Sequence, residues 1–166
     1  FGIKSGVMTT VHSATATQNV VDSTSSNNIR ISRGILNNII PSTTGAAKAV
    51  GKVVPELDNI LTGMAYRVPT SNVSVVDFSV NLKKSTSINE ISRVILNASR
   101  DKYKGVIGYC DEELVSTDFN GDTRTSIFDK NASMQVTPRF FKLVCWYDNE
   151  TGYSHKLIEM ARHMFK

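Results

Sequence analysis

One ten-residue stretch, Val73-Ser74-Val75-Val76-Asp77-Phe78-Ser79-Val80-Asn81-Leu82, carries the clearest strand pattern in the chain. Alternate residues of a strand point to opposite faces of a sheet, so Ser74, Val76, Phe78, Val80 and Leu82 share one face. The apolar content of that face predicts that it packs on a core.

Further strands and helices are predicted on both sides of this stretch. Residues 7–12, 64–68 and 140–147 favour strands, and Asn120-Gly121 is typical of a tight hairpin turn between antiparallel strands. Thr43 or Thr44 can cap a helix that runs into the alanines after Gly45. The capping-box pattern from Ser87 to Glu90 predicts a second helix. Its apolar face consists of Ile88, Ile91, Val94, Ile95 and Ala98, and a third, C-terminal helix has the stripe Leu157, Ile158, Ala161, Met164 and Phe165.

Together these elements predict an α+β domain with a mostly antiparallel or mixed sheet and helices packed on one face. The 166 residues fit one domain, and 40% hydrophobic with 20% charged residues argues against disordered, collagen-like and disulfide-scaffold classes. No apolar run approaches the roughly 18 residues that span a membrane.

Charge and cysteine content restrict the function only weakly. The net charge of +4 suits an anionic substrate, but scattered surface lysines would give the same sum. Cys110 and Cys145 stand in no zinc-ligand or Cys-x-x-Cys pattern, so no metal site is predicted. Two free thiols favour a reducing compartment such as the cytoplasm.

His12 is the first candidate for chemistry, because it ends a predicted strand and is followed closely by Thr15 and Thr17. Two hydroxyls two residues apart in an extended stretch point to the same side and can donate to an anion beside the imidazole. The alternative is a structural histidine followed by threonines that merely favour extended backbone.

Two further segments contain groups that suit anions. Thr44-Gly45 opens a helix, whose first turn presents unpaired N–H groups and a partial positive charge, although the same pair also caps helices without any ligand. Arg67 lies in an apolar strand and can bind phosphate or carboxylate with its guanidinium. A structural ion pair with Asp77 or Asp118 is the alternative for Arg67.

Asn149 and Tyr153 stand at the start of the last predicted helix. An asparagine can offer a bound carboxamide both a donor and an acceptor, and a tyrosine offers a flat face for stacking. The alternative is a helix start packed with aromatic residues.

Four segments in this order resemble the phosphorylating glyceraldehyde-3-phosphate dehydrogenase family over nearly the whole chain. They are Met8-Thr9-Thr10-Val11-His12-Ser13-Ala14-Thr15-Ala16-Thr17-Gln18, the stretch from Ile39-Ile40-Pro41 to Lys52, Arg67-Val68-Pro69-Thr70 with the strand that follows, and Trp146-Tyr147-Asp148-Asn149-Glu150 with Gly152-Tyr153.

The resemblance implies a role for each candidate residue. His12 corresponds to the histidine that pairs with the catalytic cysteine. Thr15, Thr17 and Arg67 correspond to the site for the substrate's phosphate, and Thr44 with Gly45 to the site for attacking inorganic phosphate. Asn149 corresponds to the residue that holds the nicotinamide carboxamide of NAD, with Tyr153 nearby.

The resemblance also implies that residues 1–166 form the C-terminal catalytic domain. The family's nucleophile segment, Ser-Cys-Thr-Thr-Asn-Cys, and a Gly-x-Gly-x-x-Gly loop are not in this sequence, so an N-terminal Rossmann NAD domain and the nucleophile segment are expected to precede Phe1. The chain alone is therefore expected to be inactive. Residues 23–29 correspond to the family's subunit-contact loop, and the intact protein is expected to be a cytoplasmic homotetramer.

Two other functions compete with this one. Erythrose-4-phosphate dehydrogenase is a sister enzyme, which tends to lack the threonines found at Thr15 and Thr17. A non-enzymatic protein that binds nucleic acid or a partner is less favoured, because the sequence has no RNA-binding motif and no interleaved basic and aromatic residues.

Overall fold

A computed structural model describes residues 1–24 and 28–165 of the chain. The strands are β1 (Ile3–His12), β2 (Ile40–Thr43), β3 (Leu61–Arg67), β4 (Ser74–Leu82), β5 (Ile107–Cys110), β6 (Ser126–Thr137) and β7 (Phe140–Tyr147). The helices are α1 (Ala46–Val53), α2 (Ile88–Arg100) and α3 (Thr151–Met164), with short 3₁₀ turns at Pro55–Leu57 and Ser116–Phe119. Of the loop at residues 23–29, positions 25–27 lie outside the described residues.

The described strands form one mixed sheet in the order β2-β3-β1-β4-β7-β6-β5. Four neighbouring pairs are antiparallel, while β1 with β3 and β5 with β6 are parallel. The α+β class with a mostly antiparallel or mixed sheet is therefore confirmed.

Strand β4 lies at the centre of the sheet and has the predicted alternation. Ser74, Val80 and Leu82 are buried on the face assigned from the sequence. On the other face Asp77 pairs with Lys142 of β7 at 2.7 Å. The inward face packs against Phe141 of β7 and Ile91 of α2, which together form one of two core clusters.

The second core cluster lies at the other end of the sheet and includes Val73, Phe119 and Ile127. Val73 has a φ of +62°, a left-handed conformation that is unusual for a β-branched residue and costs about 1–3 kcal/mol. Its side chain is only 3% exposed, so packing holds it there. This turn sets the directions of Asn72 and Ser74, which both reach the functional site described below.

The expected hairpin at Asn120-Gly121 is wrong. Strands β5 and β6 are parallel, so the segment between them cannot be a two-residue hairpin loop. Gly121 does make a turn, with a φ of +81°, but it follows the 3₁₀ turn at Ser116–Phe119. The physical reason is that a left-handed glycine marks a tight turn without specifying the direction of the next strand.

Helix α2 begins as the capping-box pattern predicts. The hydroxyl of Ser87 accepts the N–H of Glu90 at 3.2 Å, while the Glu90 carboxylate accepts from the hydroxyl of Thr86. Ile91 is buried as predicted, but Val94 is 49% exposed, because the buried stripe turns toward Ser92.

Helix α3 departs further from expectation, because its predicted apolar stripe is exposed. Leu157 and Ile158 are each 54% exposed and Phe165 is 90% exposed. The helix meets the rest of the described chain mainly through its first turn, where Gly152 is buried. In the part of the chain that the structure describes, no helix is both long and apolar enough to cross a membrane.

Candidate functional site

His12 and Arg67 are the last residues of two neighbouring parallel strands. They are direct partners in the register of β1 and β3, so both side chains emerge at the same end of the sheet. Nη1 of Arg67 lies 2.6 Å from Nδ1 of His12 and 3.3 Å from the carbonyl oxygen of Ser13. The sheet thus brings an imidazole and a guanidinium together that are 55 residues apart.

Nδ1 of His12 has two neighbours that make opposite demands on its proton. It lies 2.8 Å from the carbonyl oxygen of Ser13, which can only accept, and 2.6 Å from Nη1 of Arg67, which can only donate. In the tautomer that carries the proton on Nδ1, Nε2 has the free lone pair that a base requires.

The pKa of His12 is lowered from its ordinary value. Burial of the ring is the main cause, and the positive charge of Arg67 lowers the pKa further. The hydrogen bond to Ser13 and the charge of Glu150 act in the opposite direction without reversing the shift. The imidazole is therefore neutral at neutral pH and ready to accept a proton.

Thr15 and Thr17 point to the same side, as the sequence indicates. Their hydroxyl oxygens are 3.1 Å apart, and the side chain of Gln18 bonds to both, at 2.8 and 3.2 Å. Thr17 and Arg67 line the same groove, which has a volume of about 790 Å³. Thr15 does not line the groove itself and is linked to it through its contacts with Thr17 and Gln18.

Arg67 forms no ion pair with either carboxylate considered from the sequence. Asp77 pairs with Lys142, and Asp118 accepts the backbone N–H of Val115 at 2.8 Å. Nε of Arg67 is buried without a hydrogen-bond partner among residues 1–24 and 28–165. The guanidinium is thus not neutralised by a carboxylate there, which suits a residue that binds an anion.

Thr44 and Gly45 stand at the start of α1, as predicted, but do not line this groove themselves. Thr43 does, so the helix start lies next to it in the chain. The hydroxyl of Thr44 accepts the N–H of Ala46 at 3.2 Å and keeps its own proton to donate. A side chain at Gly45 would meet nothing within 4 Å, so the approach to the backbone is open.

Asn149 is held by hydrogen bonds from two strands. Its Oδ1 accepts from the hydroxyls of Ser13 and Ser74, each at 2.9 Å. Its Nδ2 donates to the carboxylate of Glu150 at 3.1 Å and has no second partner among the residues that the structure describes. Because Oδ1 already receives two hydrogen bonds, the second N–H of Nδ2 is the group of Asn149 that remains for a ligand.

A second cavity of about 360 Å³ lies on the Asn149 side of His12. Tyr153 lines it and is 66% exposed, so its ring is available for stacking. Tyr147 also lines it and meets the His12 ring edge to face, with centroids 6.0 Å apart. Because His12 contacts Arg67, the two cavities meet at that pair.

Both cysteines of the chain lie in surroundings that disfavour the thiolate. Burial raises the pKa of the Cys110 thiol and raises that of Cys145 to about 11. Both thiols are therefore protonated at neutral pH, and a thiol reacts through its thiolate.

The comparison with known proteins agrees with this geometry. The sequence profile described as "Glyceraldehyde 3-phosphate dehydrogenase, C-terminal domain" matches residues 1–149. The chain belongs to the glyceraldehyde 3-phosphate dehydrogenase family. This confirms the resemblance inferred from its four segments.

Relatives in this dehydrogenase family come from bacteria, yeast and plants. The chain is 58% identical to glyceraldehyde-3-phosphate dehydrogenase of Buchnera aphidicola over 97% of its own length and 48% of that protein. It is 55% identical to glyceraldehyde-3-phosphate dehydrogenase 3 of Saccharomyces cerevisiae over 100% of its length and 50% of that protein. A chloroplastic dehydrogenase of Arabidopsis thaliana is 56% identical over 99% of the chain and 39% of that protein. The chain thus spans about half the length, or less, of these relatives.

Three buried polar residues near His12 and Asn149 were not singled out from the sequence. Ser13 is 0% exposed, while Ser74 and Asp148 are each 1% exposed. A signal was present for Ser74, because it is a polar residue on the inward face of the clearest strand. Arg30, which was not among the candidates either, lines the same groove as Arg67.

Asp148 holds the segment from which Asn149 projects. It accepts from the side chain of Asn72 and the backbone N–H of Gly121, both at 2.8 Å, and from the N–H groups of Glu150 and Thr151 at 3.0 and 2.8 Å. Burial disfavours its charge, but these hydrogen bonds outweigh burial and lower its pKa.

Asp148→Asn is expected to destabilise the protein at neutral pH by an amount that shrinks in acid. Because the folded-state pKa lies below the ordinary 3.8, the unfolded chain takes up the proton first. The contribution is present above pH 3.8 and is lost as pH falls through the depressed value. Urea unfolding at a series of pH values measures it, with Asp101→Asn, at an exposed position, as the control. A gap between wild type and Asp148→Asn that stayed constant down to pH 2 would contradict this account.

Proposed function

We propose that this chain is the catalytic half of a phosphorylating glyceraldehyde-3-phosphate dehydrogenase. The proposed reaction is the NAD-dependent oxidation of glyceraldehyde 3-phosphate with inorganic phosphate to 1,3-bisphosphoglycerate, a step of glycolysis. The observation that carries the proposal is the contact between His12 and Arg67, which joins an anion groove to a cavity lined by Asn149 and Tyr153.

The chain's own residues have distinct tasks in this proposal. Arg67, Thr15 and Thr17 hold the substrate's phosphate, which brings the aldehyde carbon within reach of His12. Nε2 of His12 first takes the proton of the attacking cysteine thiol, which belongs to the segment absent from this sequence. The thiolate attacks the aldehyde carbon, and the imidazolium returns its proton to the carbonyl oxygen, which becomes the hydroxyl of a hemithioacetal. Nε2, neutral again, then accepts that hydroxyl proton as hydride leaves the same carbon.

The second half of the reaction needs a second anion. The acyl group is then held as a cysteine thioester, and inorganic phosphate attacks its carbonyl carbon. Phosphate oxygen forms the new bond, the thiolate leaves, and 1,3-bisphosphoglycerate is released. The Thr44 hydroxyl and the open backbone at Gly45 are the groups proposed to hold that phosphate at the start of α1.

NAD suits the second cavity. Asn149 keeps one N–H for a carbonyl acceptor, and Tyr153 presents an exposed ring. When bound, the nicotinamide ring takes up the hydride that leaves the substrate carbon. The chain's contribution is to orient that ring through Asn149 and to keep the His12 ring between Tyr147 and Arg67.

The proposed protein is larger than this chain. An N-terminal NAD-binding half with the nucleophile segment would precede residue 1, and the intact protein would be a homotetramer. We infer a cytoplasmic location from the two free cysteines, Cys110 and Cys145, although one relative is named as chloroplastic. The adjacent hydroxyls of Thr15 and Thr17 support glyceraldehyde 3-phosphate over erythrose 4-phosphate as the substrate.

The chain by itself is expected to make no NADH from glyceraldehyde 3-phosphate, NAD and phosphate. Neither of its thiols forms a thiolate at neutral pH, and it has no Gly-x-Gly-x-x-Gly loop. Absorbance at the NADH band measures the outcome, with a full-length protein containing this chain as the positive control. Turnover by a chain preparation freed of full-length enzyme would refute the proposal that the nucleophile lies outside this sequence.

Arg67→Ala in the full-length protein is expected to weaken substrate binding by about 1.5–3 kcal/mol, because a charge-assisted contact to phosphate is lost. Its positive charge lowers the pKa of His12, so the acid limb of the pH–rate profile should also move to higher pH. Steady-state kinetics measures both effects, and Arg93→Ala, an exposed arginine on α2, is the control. An unchanged kcat/KM for glyceraldehyde 3-phosphate would show that the phosphate site lies elsewhere.

His12→Asn in the full-length protein is expected to lower kcat by about 10²–10⁴, the usual contribution of a positioned base. A neighbouring imidazole also lowers a cysteine pKa from ~8.5 to about 3.5–7.5, so alkylation of the catalytic thiol near neutral pH should slow. Rates of NADH formation and of iodoacetamide alkylation measure the two effects, with His163→Asn on the exposed end of α3 as the control. If alkylation kept its wild-type rate, His12 would be a structural residue.

A further inference from the structure

Two fully buried serines meet at one atom of the proposed site. Ser13 follows β1 and Ser74 begins β4, and both hydroxyls lie 2.9 Å from Oδ1 of Asn149. A buried hydroxyl is costly unless it is hydrogen-bonded, so the burial of two of them around one side chain needs an explanation. Neither serine lines the groove beside Thr17 and Arg67, and neither hydroxyl takes part in the reaction steps proposed above.

A third contact is compatible with donation by Ser74. The backbone N–H of Ser13 donates to Oγ of Ser74 at 3.1 Å, which occupies one lone pair and leaves the hydroxyl proton to donate to Asn149. Both serines can therefore donate to the carbonyl oxygen of Asn149.

Glu150 disfavours the opposite orientation of the amide. Nδ2 of Asn149 lies 3.1 Å from the carboxylate of Glu150. Rotation of the amide by half a turn would place its oxygen against that carboxylate, and two acceptors without a proton between them repel. The two serines and Glu150 therefore favour the same orientation from opposite sides.

We propose that Ser13 and Ser74 are positioning residues that lock the Asn149 amide with its remaining N–H toward the ligand. The ligand group that meets Asn149 must then be a hydrogen-bond acceptor. On the proposed function, on which this inference rests, that group is the carbonyl oxygen on position 3 of the cofactor's pyridine ring. The serines thus favour a pyridine nucleotide that has this carbonyl oxygen, although they do not contact that oxygen themselves.

The test uses the full-length protein with NAD and with thionicotinamide adenine dinucleotide, in which sulfur replaces that oxygen. Sulfur is a weak hydrogen-bond acceptor, so the affinity of the analogue should change little when the Asn149 amide is no longer held in one orientation. The variants are Ser13→Ala, Ser74→Ala and the double variant, with Ser92→Ala as a matched control. Ser92 is an equally buried serine whose hydroxyl donates to a backbone carbonyl within α2.

Calorimetric Kd values for both nucleotides are the primary measurement. We expect the double variant to bind NAD about tenfold more weakly, with little change for the analogue, so its preference for NAD falls by about the same factor. Each single variant should weaken NAD binding by less than about twofold, because one hydroxyl still donates to Oδ1. Ser92→Ala should leave the preference unchanged.

The inference is overturned if both nucleotides weaken equally in the double variant, since that is the result of a purely structural role. It is also overturned if two single losses simply multiply to give the double loss. Ser74→Ala removes the acceptor for Ser13 N–H and can unfold the strand end, so Ser74→Cys, which retains a weak acceptor but donates poorly, replaces it if needed. Turnover of glyceraldehyde 3-phosphate is followed separately: binding without turnover contradicts the proposed function alone.

Discussion

The site depends on one buried carboxylate that is kept charged. Asp148 comes directly after β7 and receives hydrogen bonds from the turn before β4, from the turn at Gly121 and from the start of α3. These three segments are distant from one another in sequence, and Asp148 links them in addition to the core contact between Val73 and Phe119. Burial of this carboxylate is favourable only when all of its hydrogen-bond donors are in place, so it holds the three segments together cooperatively.

The environment of His12 balances two requirements that usually conflict. A base that works near neutral pH must not carry a proton at rest, yet it must lie beside the group that holds an anionic substrate. Burial and the charge of Arg67 lower the pKa of the ring and keep it neutral at neutral pH. The same guanidinium lines the groove that is proposed to bind an anion.

Sequence reasoning succeeded where a pattern is local and failed where geometry depends on distant segments. The alternation of β4, the span of β7 and the cap of α2 follow from residues close in the chain, and all three are confirmed. The hairpin at Asn120-Gly121 was wrong because glycine conformation does not encode strand direction. The exposed stripe of α3 shows that amphipathicity identifies a helix face without identifying what covers it.

The candidate site shows the same limit. His12, Arg67 and Asn149 were named from residue chemistry and from a family resemblance, and the structure places them around one strand end. Ser13 and Ser74 were not named: Ser74 stands out as a polar residue on the inward face of β4, but the sequence does not show which group a serine hydroxyl will meet. Their role becomes visible only when β1 and β4 bring both hydroxyls to the same oxygen.

The separation of these residues along the chain also leads to an expectation about the order in which the domain folds. The His12–Arg67 contact spans 55 residues and the Ser13–Asn149 contact spans 136, whereas every backbone bond of α2 is local. Closing long loops costs entropy before any contact repays it, so segments with distant partners assemble slowly and late. We therefore expect α2 to form early and the strand-end cluster to form among the last contacts, so that the lowered pKa of His12 appears only once the chain has completed its topology.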